Sequence, residues 1–150
     1  MSCHDCGLVW YFNPAPAVIA LIRNCEGKYL FTRRKFDPAA GMLDLPGGFV
    51  DSGETSEAAL LREVLEETGL TIARYSFLFT LTNEYIYKDL LYHTLDSVYF
   101  CETDDCSMLK PSDDVTEILF LSPDQVNEGE LGLRSVRQLV SYLKTLPLPT

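Results

Sequence analysis

Residues 48–70 constrain this chain more than any other stretch. Asp51, Glu54, Glu57, Glu63, Glu66 and Glu67 face a single Arg62 there, so the segment carries five net negative charges, half of the chain's −10. Pro46-Gly47-Gly48 precedes it and Gly69 closes it, which predicts a tight loop, a helix starting near Thr55 to Glu57, and a stop after Thr68. On that helix Glu63, Glu66 and Glu67 stand at i, i+3 and i+4 and share one face within one turn. Ala58, Leu61, Leu65 and Thr68 read as the opposite, apolar face, which packs on a sheet while the acids line a cleft. Carboxylates this close repel one another unless a cation bridges them, and hard oxygen ligands suit Mg²⁺ or Mn²⁺ held against substrate phosphates. An EVLEE run alone reads more simply as a solvated acidic face, so the chemistry rests on the wider spacing.

Composition narrows the setting. At 150 residues and 47% hydrophobic, the chain fits one domain with one core. No apolar run approaches the roughly 20 residues that span a bilayer. Met1 is followed by polar and cysteine residues rather than by a signal peptide, so a cytoplasmic location is expected. The acidic balance opposes binding to nucleic acid or to an anionic membrane. Five cysteines, an odd number, favour reduced thiols or metal ligands over a disulfide framework.

Along the chain, residues 16–23 and 28–35 read as a hairpin turning at 24–27, and 42–49 as at most a short strand before the tight loop. Residues 70–81 and 91–101 form a second hairpin-like pair, 103–116 a loop and 117–121 a short strand. Ser122-Pro123 opens a short helix, and 133–146 is a terminal amphipathic helix. Strands and helices mix without strict βαβ alternation, so an α/β or α+β sandwich is favoured over a doubly wound sheet.

The spacing Gly48-x5-Glu54-x7-Arg62-Glu63-Val64-x-Glu66-Glu67-x-Gly69-Leu70 resembles the Nudix box at all nine defining positions. At average residue usage such a match arises by chance on the order of once in 10⁷ chains of this length. The resemblance implies a Nudix-type α/β/α sandwich with a mixed central sheet over residues 15–150. It also implies hydrolysis of a diphosphate bond in a nucleoside diphosphate linked to another moiety. Glu63, Glu66, Glu67 and the Gly48 carbonyl are the implied metal ligands, Glu54 and Arg62 the structural pair, and Glu66 or Glu63 the catalytic acids. Nudix proteins often place a further acid outside the box. Here Asp113, Asp114 and Glu117 stand in that segment, and Glu117 is preferred. Arg33 or Arg34, with Lys35 next in line, matches a strand that often carries a phosphate-binding arginine. Strand alternation lets only one of Arg33 and Arg34 point inward. Phe79, Tyr85, Tyr87 and Tyr92 are candidates to stack on a base, with Tyr85 preferred, whereas His93 reads as a hydrogen-bonded strand residue.

Residues 1–14 resemble a remnant of the zinc ribbon that precedes the Nudix domain in NADH pyrophosphatase-related proteins, with Cys3 and Cys6 as its C-x2-C knuckle. A structural zinc needs four ligands, so one knuckle makes Zn²⁺ doubtful. Cys101 and Cys106 are too distant in sequence to recruit, and Cys25 reads as a strand-end thiol. The Ser-Gln-Pro-Trp-Pro-Phe-Pro signature of that group is absent after the box, so NADH itself is not supported as substrate. The expected partner is a small nucleotide-like diphosphate, and the family's habit of dimerising makes a homodimer the expected assembly. The alternative is a non-catalytic nucleotide-binding sensor, which usually has a degraded box. Isopentenyl diphosphate isomerases share the fold and are disfavoured by the intact box and the short chain.

Overall fold

Alternation along the first strand sets the architecture. In β1 (Ala15–Arg23), Val18, Ala20 and Ile22 point to one side and Ile19 and Leu21 to the other, and all five are buried. A strand apolar on both faces needs a layer on each. The computed structural model describes residues 1–103 and 109–145, with Tyr85 and Tyr87 described in backbone only. One core cluster joins Val18, Ala20 and Ile22 to Leu60 and Val64 of α1 (Ser56–Thr68). The other joins Ile19 and Leu21 to Val136, Leu139 and Val140 of α2 (Arg134–Thr145). The result is the α/β/α sandwich expected.

The sheet is mixed. β1 runs parallel to β6 (Leu90–Glu102) through nine consecutive pairs, Ala15↔Thr94 to Arg23↔Glu102, and β6 pairs antiparallel with β5 (Arg74–Tyr87). The second hairpin is longer than the sequence suggested. Both strands run through to a two-residue turn at Lys88 and Asp89, each at positive φ. The first hairpin is shorter. β1 pairs with β2 (Tyr29–Arg34) only at Arg23↔Tyr29, where Asn24 Oδ1 accepts from the Glu26 and Lys28 backbone N–H groups to close the turn. Beyond that point the strands splay. β3 (Leu43–Asp44) lies against β2, β4 (Gly47–Phe49) lies against β1, and the Ala20 N–H bonds to the Pro46 carbonyl between them. β7 (Val115–Leu121) covers the other edge of β2, with a bulge at Arg33/Arg34. Pro123–Gln125 forms a 3₁₀ turn, in which Gln125 Oε1 accepts from the Ser122 N–H and hydroxyl.

α1 begins and ends where its sequence says. Thr55 Oγ1 accepts from the Ala58 N–H, and Gly69, at φ 75°, sends its N–H to the Leu65 carbonyl. Its buried face differs from the stripe expected. Ala59, Leu60, Val64, Glu67 and Thr68 are buried, while Ala58 is exposed and Leu65 is 52% exposed. The helix is rolled so that the Glu67 flank, rather than the Leu65 flank, faces the gap opened by the splayed β1 and β2. Among the described residues no helix is long and apolar enough to cross a membrane.

Candidate active site on the first helix

The loop between β3 and β4 brings backbone up to the acids of α1. The Gly47 N–H donates to Glu67 Oε2 at 3.1 Å, although Glu67 is only 8% exposed. A Cβ at Gly48 would overlap the Glu63 carboxylate, so glycine there makes room for an acid side chain against the loop. A Cβ at Gly47 would strike the Val18 carbonyl oxygen, and its φ of 152° disfavours other residues as well.

Arg62 organises the remaining carboxylates. Its Nε and Nη2 grip Glu54 at 3.0 and 2.9 Å, its Nη1 reaches Glu63 at 2.8 Å and Glu66 at 3.2 Å, and Nη2 also bonds the Phe49 carbonyl at 3.0 Å. This bidentate clamp holds the Glu54 carboxyl below its usual range, and Glu54 in turn raises the Arg62 guanidinium's hold on its proton. Glu67 lies outside Arg62's reach. Burial pushes its carboxyl up to about 9, the Gly47 N–H opposes this, and the charges of Asp44, Glu63 and Asp114 reinforce it. Burial likewise raises Glu63, against the pull of Arg62 and with a push from Glu66 and Asp113. Among the described residues no three His, Cys, Asp or Glu side chains close around one point as a ready metal group. Arg62 draws Glu63 and Glu66 toward itself instead. Glu67, which no guanidinium reaches, lies beside Glu63 and shares the cleft wall with Asp114, and these carboxyl oxygens still fit a hard divalent cation held by oxygen and water.

Beside Gly48 and Glu67 opens a cleft of about 170 Å³. Asp114 and Arg34 line it. Arg34 gives Nη1 to Asp44 at 2.6 Å and Nε to the Pro38 carbonyl at 2.7 Å. Burial raises the Asp44 carboxyl against the opposing pull of that guanidinium. Arg33 takes the other side of β2, bonding Glu117 at 2.7 Å and the Gly41 carbonyl at 2.8 Å. The structure therefore brings Gly48, Glu63 and Glu67 together, with Asp113 and Asp114 near them, and sets Glu117 with Arg33 at a half-exposed rim. Lys35 reaches the Asp113 carbonyl.

Other candidates separate. Phe79 packs edge-on against Tyr142 of α2 at 5.5 Å. His93 pairs across the hairpin with Glu84 at 3.4 Å, both exposed. Tyr92 is partly exposed, and the side chains of Tyr85 and Tyr87, like Cys106, lie outside the described residues. Cys3 and Cys6 are exposed on a turn closed by Gly7 N–H to the Cys3 carbonyl and by a Ser2↔Val9 bridge. Cys25 is exposed, whereas Cys101 is buried in the α1-side core, which pushes its thiol up to about 12. Sequence reasoning passed over Gly47, Asp44, Asn83, Thr94, Asp96 and Ser135, all lining the cleft. The available signal was polar residues at positions whose strand neighbours two away are apolar, as Asp96 is to Val98.

Known proteins resemble this chain in sequence and in fold. A NUDIX domain profile matches residues 13–140. The chain is 50% identical over 60 residues to an ADP-ribose pyrophosphatase of Methanocaldococcus jannaschii, covering 40% of this chain and 35% of that protein. It is 39% identical over 77 residues to the NAD-capped RNA hydrolase NudC of Chromobacterium violaceum, covering 50% of this chain and 28% of that protein. These matches thus span about a third of each relative's length. Among solved structures, a MutT NUDIX hydrolase from Burkholderia pseudomallei superposes with a TM-score of 0.73 at 24% identity, over 87% of this chain and 98% of that one. The NUDIX domain of Shewanella oneidensis NrtR, complexed with ADP ribose, superposes with a TM-score of 0.71 at 20% identity, over 89% and 88%. Those likenesses concern the fold, and the domain match across most of the sequence carries the rest: the chain belongs to the NUDIX family.

Proposed function

We propose that this protein hydrolyses a diphosphate bond in a nucleoside diphosphate linked to another moiety, with Mg²⁺ or Mn²⁺ bound at α1. The observation that carries the reading is the pair Glu63 and Glu67, sunk beneath the Gly47-Gly48 backbone with only one of them neutralised by Arg62. Glu63, Glu67 and the Gly48 carbonyl would hold the metal, with Glu66 at the lip. The metal, when bound, neutralises phosphate charge and makes water a better nucleophile. The chain's own part is positional. The Glu54–Arg62 clamp fixes the loop on the helix, and the cleft holds one end of the substrate beside the acids. A carboxylate takes the proton of the attacking water. Its oxygen bonds to phosphorus as the bridging P–O bond breaks, releasing two phosphate monoesters. We assign the proton to Glu66, which is half exposed; of the candidate acids between Asp113 and Glu117, Asp114 lines the cleft and Glu117 is engaged by Arg33. The named relatives act on ADP-ribose and NAD-capped RNA, which supports a nucleotide-derived substrate.

The test is Mg²⁺- or Mn²⁺-dependent release of a nucleoside monophosphate from ADP-ribose, NAD(H), dinucleoside polyphosphates and nucleotide sugars. Turnover of at least one is expected, with kcat in Glu67→Gln lower by about 10² or more. No turnover with either metal would sink the reading.

A further inference from the structure

The cleft beside Gly48 and Glu67 is floored by polar side chains that diphosphate chemistry does not use. Asn83 and Thr94 face each other across β5 and β6, and Asp96 follows Thr94 by two residues, so all three share one face of the sheet. Elsewhere that face is the apolar one packed on α2. Val98 comes two residues after Asp96, and Ile19 two after Ala17, the partner of Asp96 on β1. Asn83 is 2% exposed, Asp96 4%, and Ser135, in the first turn of α2, 0%.

Polar groups taken this far from water need partners. The Thr94 hydroxyl supplies one by donating to Asp96 Oδ1. The Asn83 amide oxygen and the Ser135 hydroxyl have none among the described residues. Both line the cleft, together with Asp96 and Glu67. Two unpartnered polar atoms on buried residues that line one open cavity mark where ligand atoms belong, because a polar group taken from water and left unpaired is destabilising.

Size and charge narrow the ligand. The cleft's 170 Å³ falls below the roughly 300–1,000 Å³ of pockets that enclose a whole drug-sized ligand, so it takes one ring and leaves the diphosphate on α1. Asp44, Asp96 and Asp114 line it, and Arg34 is already committed to Asp44, so an anionic group is repelled. Ala17, Ile19, Leu45 and Leu133 supply apolar wall for a flat face. Acceptors outnumber donors. An exocyclic amino group carries two N–H donors and can serve Asn83 Oδ1 and the Asp96 carboxylate together, while the Ser135 hydroxyl donates to a neighbouring ring nitrogen.

We propose that Asn83, Asp96 and Ser135 form a base-recognition subsite selecting nucleotides whose ring bears an exocyclic amino group. The proposal rests on the diphosphate-hydrolase reading for the position of the reacting end. Its test is wild-type kcat/KM for ADP-ribose against the inosine counterpart, in which an oxo group replaces the amino group. The inosine compound should be at least about tenfold poorer, because it sets an acceptor against acceptors; equal values overturn the proposal. In Asn83→Leu and Asp96→Asn the ratio of the two substrates should fall toward one, and proportional slowing of both, with the ratio kept, also overturns it. Should neither compound be hydrolysed, the reading of ADP-ribose-type chemistry fails separately, and calorimetric binding of AMP against IMP decides the subsite. Tighter AMP supports it, and equal binding overturns it.

Discussion

Gly48 and Gly47 are adjacent, yet their side-chain hydrogens face different obstacles, and the difference predicts two kinds of mutant. At Gly48 the neighbour is the far end of Glu63, a flexible side chain that can swing away. Gly48→Ala should therefore fold with a melting temperature near wild type while kcat falls about tenfold or more, because the displaced carboxylate is the one proposed to hold metal. Gly47→Ala meets the Val18 backbone and should lose stability instead. Thermal melts paired with steady-state rates separate the two. Glu67 gives a pH signature. Its folded carboxyl is raised to about 9 from an ordinary 4.5, so the folded chain binds a proton that the unfolded chain releases. The sign follows: Glu67's contribution to metal-free stability is fully present below the lower value and is lost as pH rises through this window. Melting in EDTA from about pH 5 to about pH 9 should show a steeper decline for wild type than for Glu67→Gln, and Mg²⁺ should rescue wild type most at the alkaline end. Parallel curves for the two proteins would contradict the assignment.

The helix α1 shows what was and was not readable from sequence. Its start at Ser56 and its stop at Gly69 follow from local chemistry and stand where expected, whereas the Glu54–Arg62 pair was implied by the resemblance to the Nudix box and not by any local rule. Its orientation does not follow, because rolling a helix by one residue's width keeps its sequence pattern while exchanging Leu65 for Leu60 at the sheet. What decides is tertiary: the gap between β1 and β2 accepts the Glu67 flank. Leu60→Ala should cost about 2–5 kcal/mol, whereas Leu65→Ala should stay within about 0.5 kcal/mol. Denaturant titration of the two variants measures this directly, and equal losses would restore the other face. The splay of β1 from β2 was equally hidden, since the turn at residues 24–27 predicts pairing and only the Pro46-Gly47-Gly48 wedge limits it to one register pair. The cleft floor was hidden for the same reason. Asn83 and Asp96 come together through a β5–β6 register that no local pattern fixes.

Across the whole molecule, the box supplies the acids and distant segments supply the cleft around them. Half of the −10 charge sits in residues 48–70, and Asp44, Asp96 and Asp114 add to the same region from three other segments. The two core layers hold these segments together, one through α1 and one through α2. The parallel pairing of β1 with β6 joins residues 15–23 to 94–102. During synthesis the box helix is therefore finished long before the strand that completes its sheet. Until β6 arrives, β1 offers an unpaired edge along its full nine residues, apolar on both faces. A fragment ending at Asp89 should accordingly keep every residue of the box and still aggregate, as gel filtration and light scattering would detect. A soluble monomeric fragment would show that the box half folds alone. In an emerging chain, then, the acids would be made before the pocket floor that is proposed to choose their substrate.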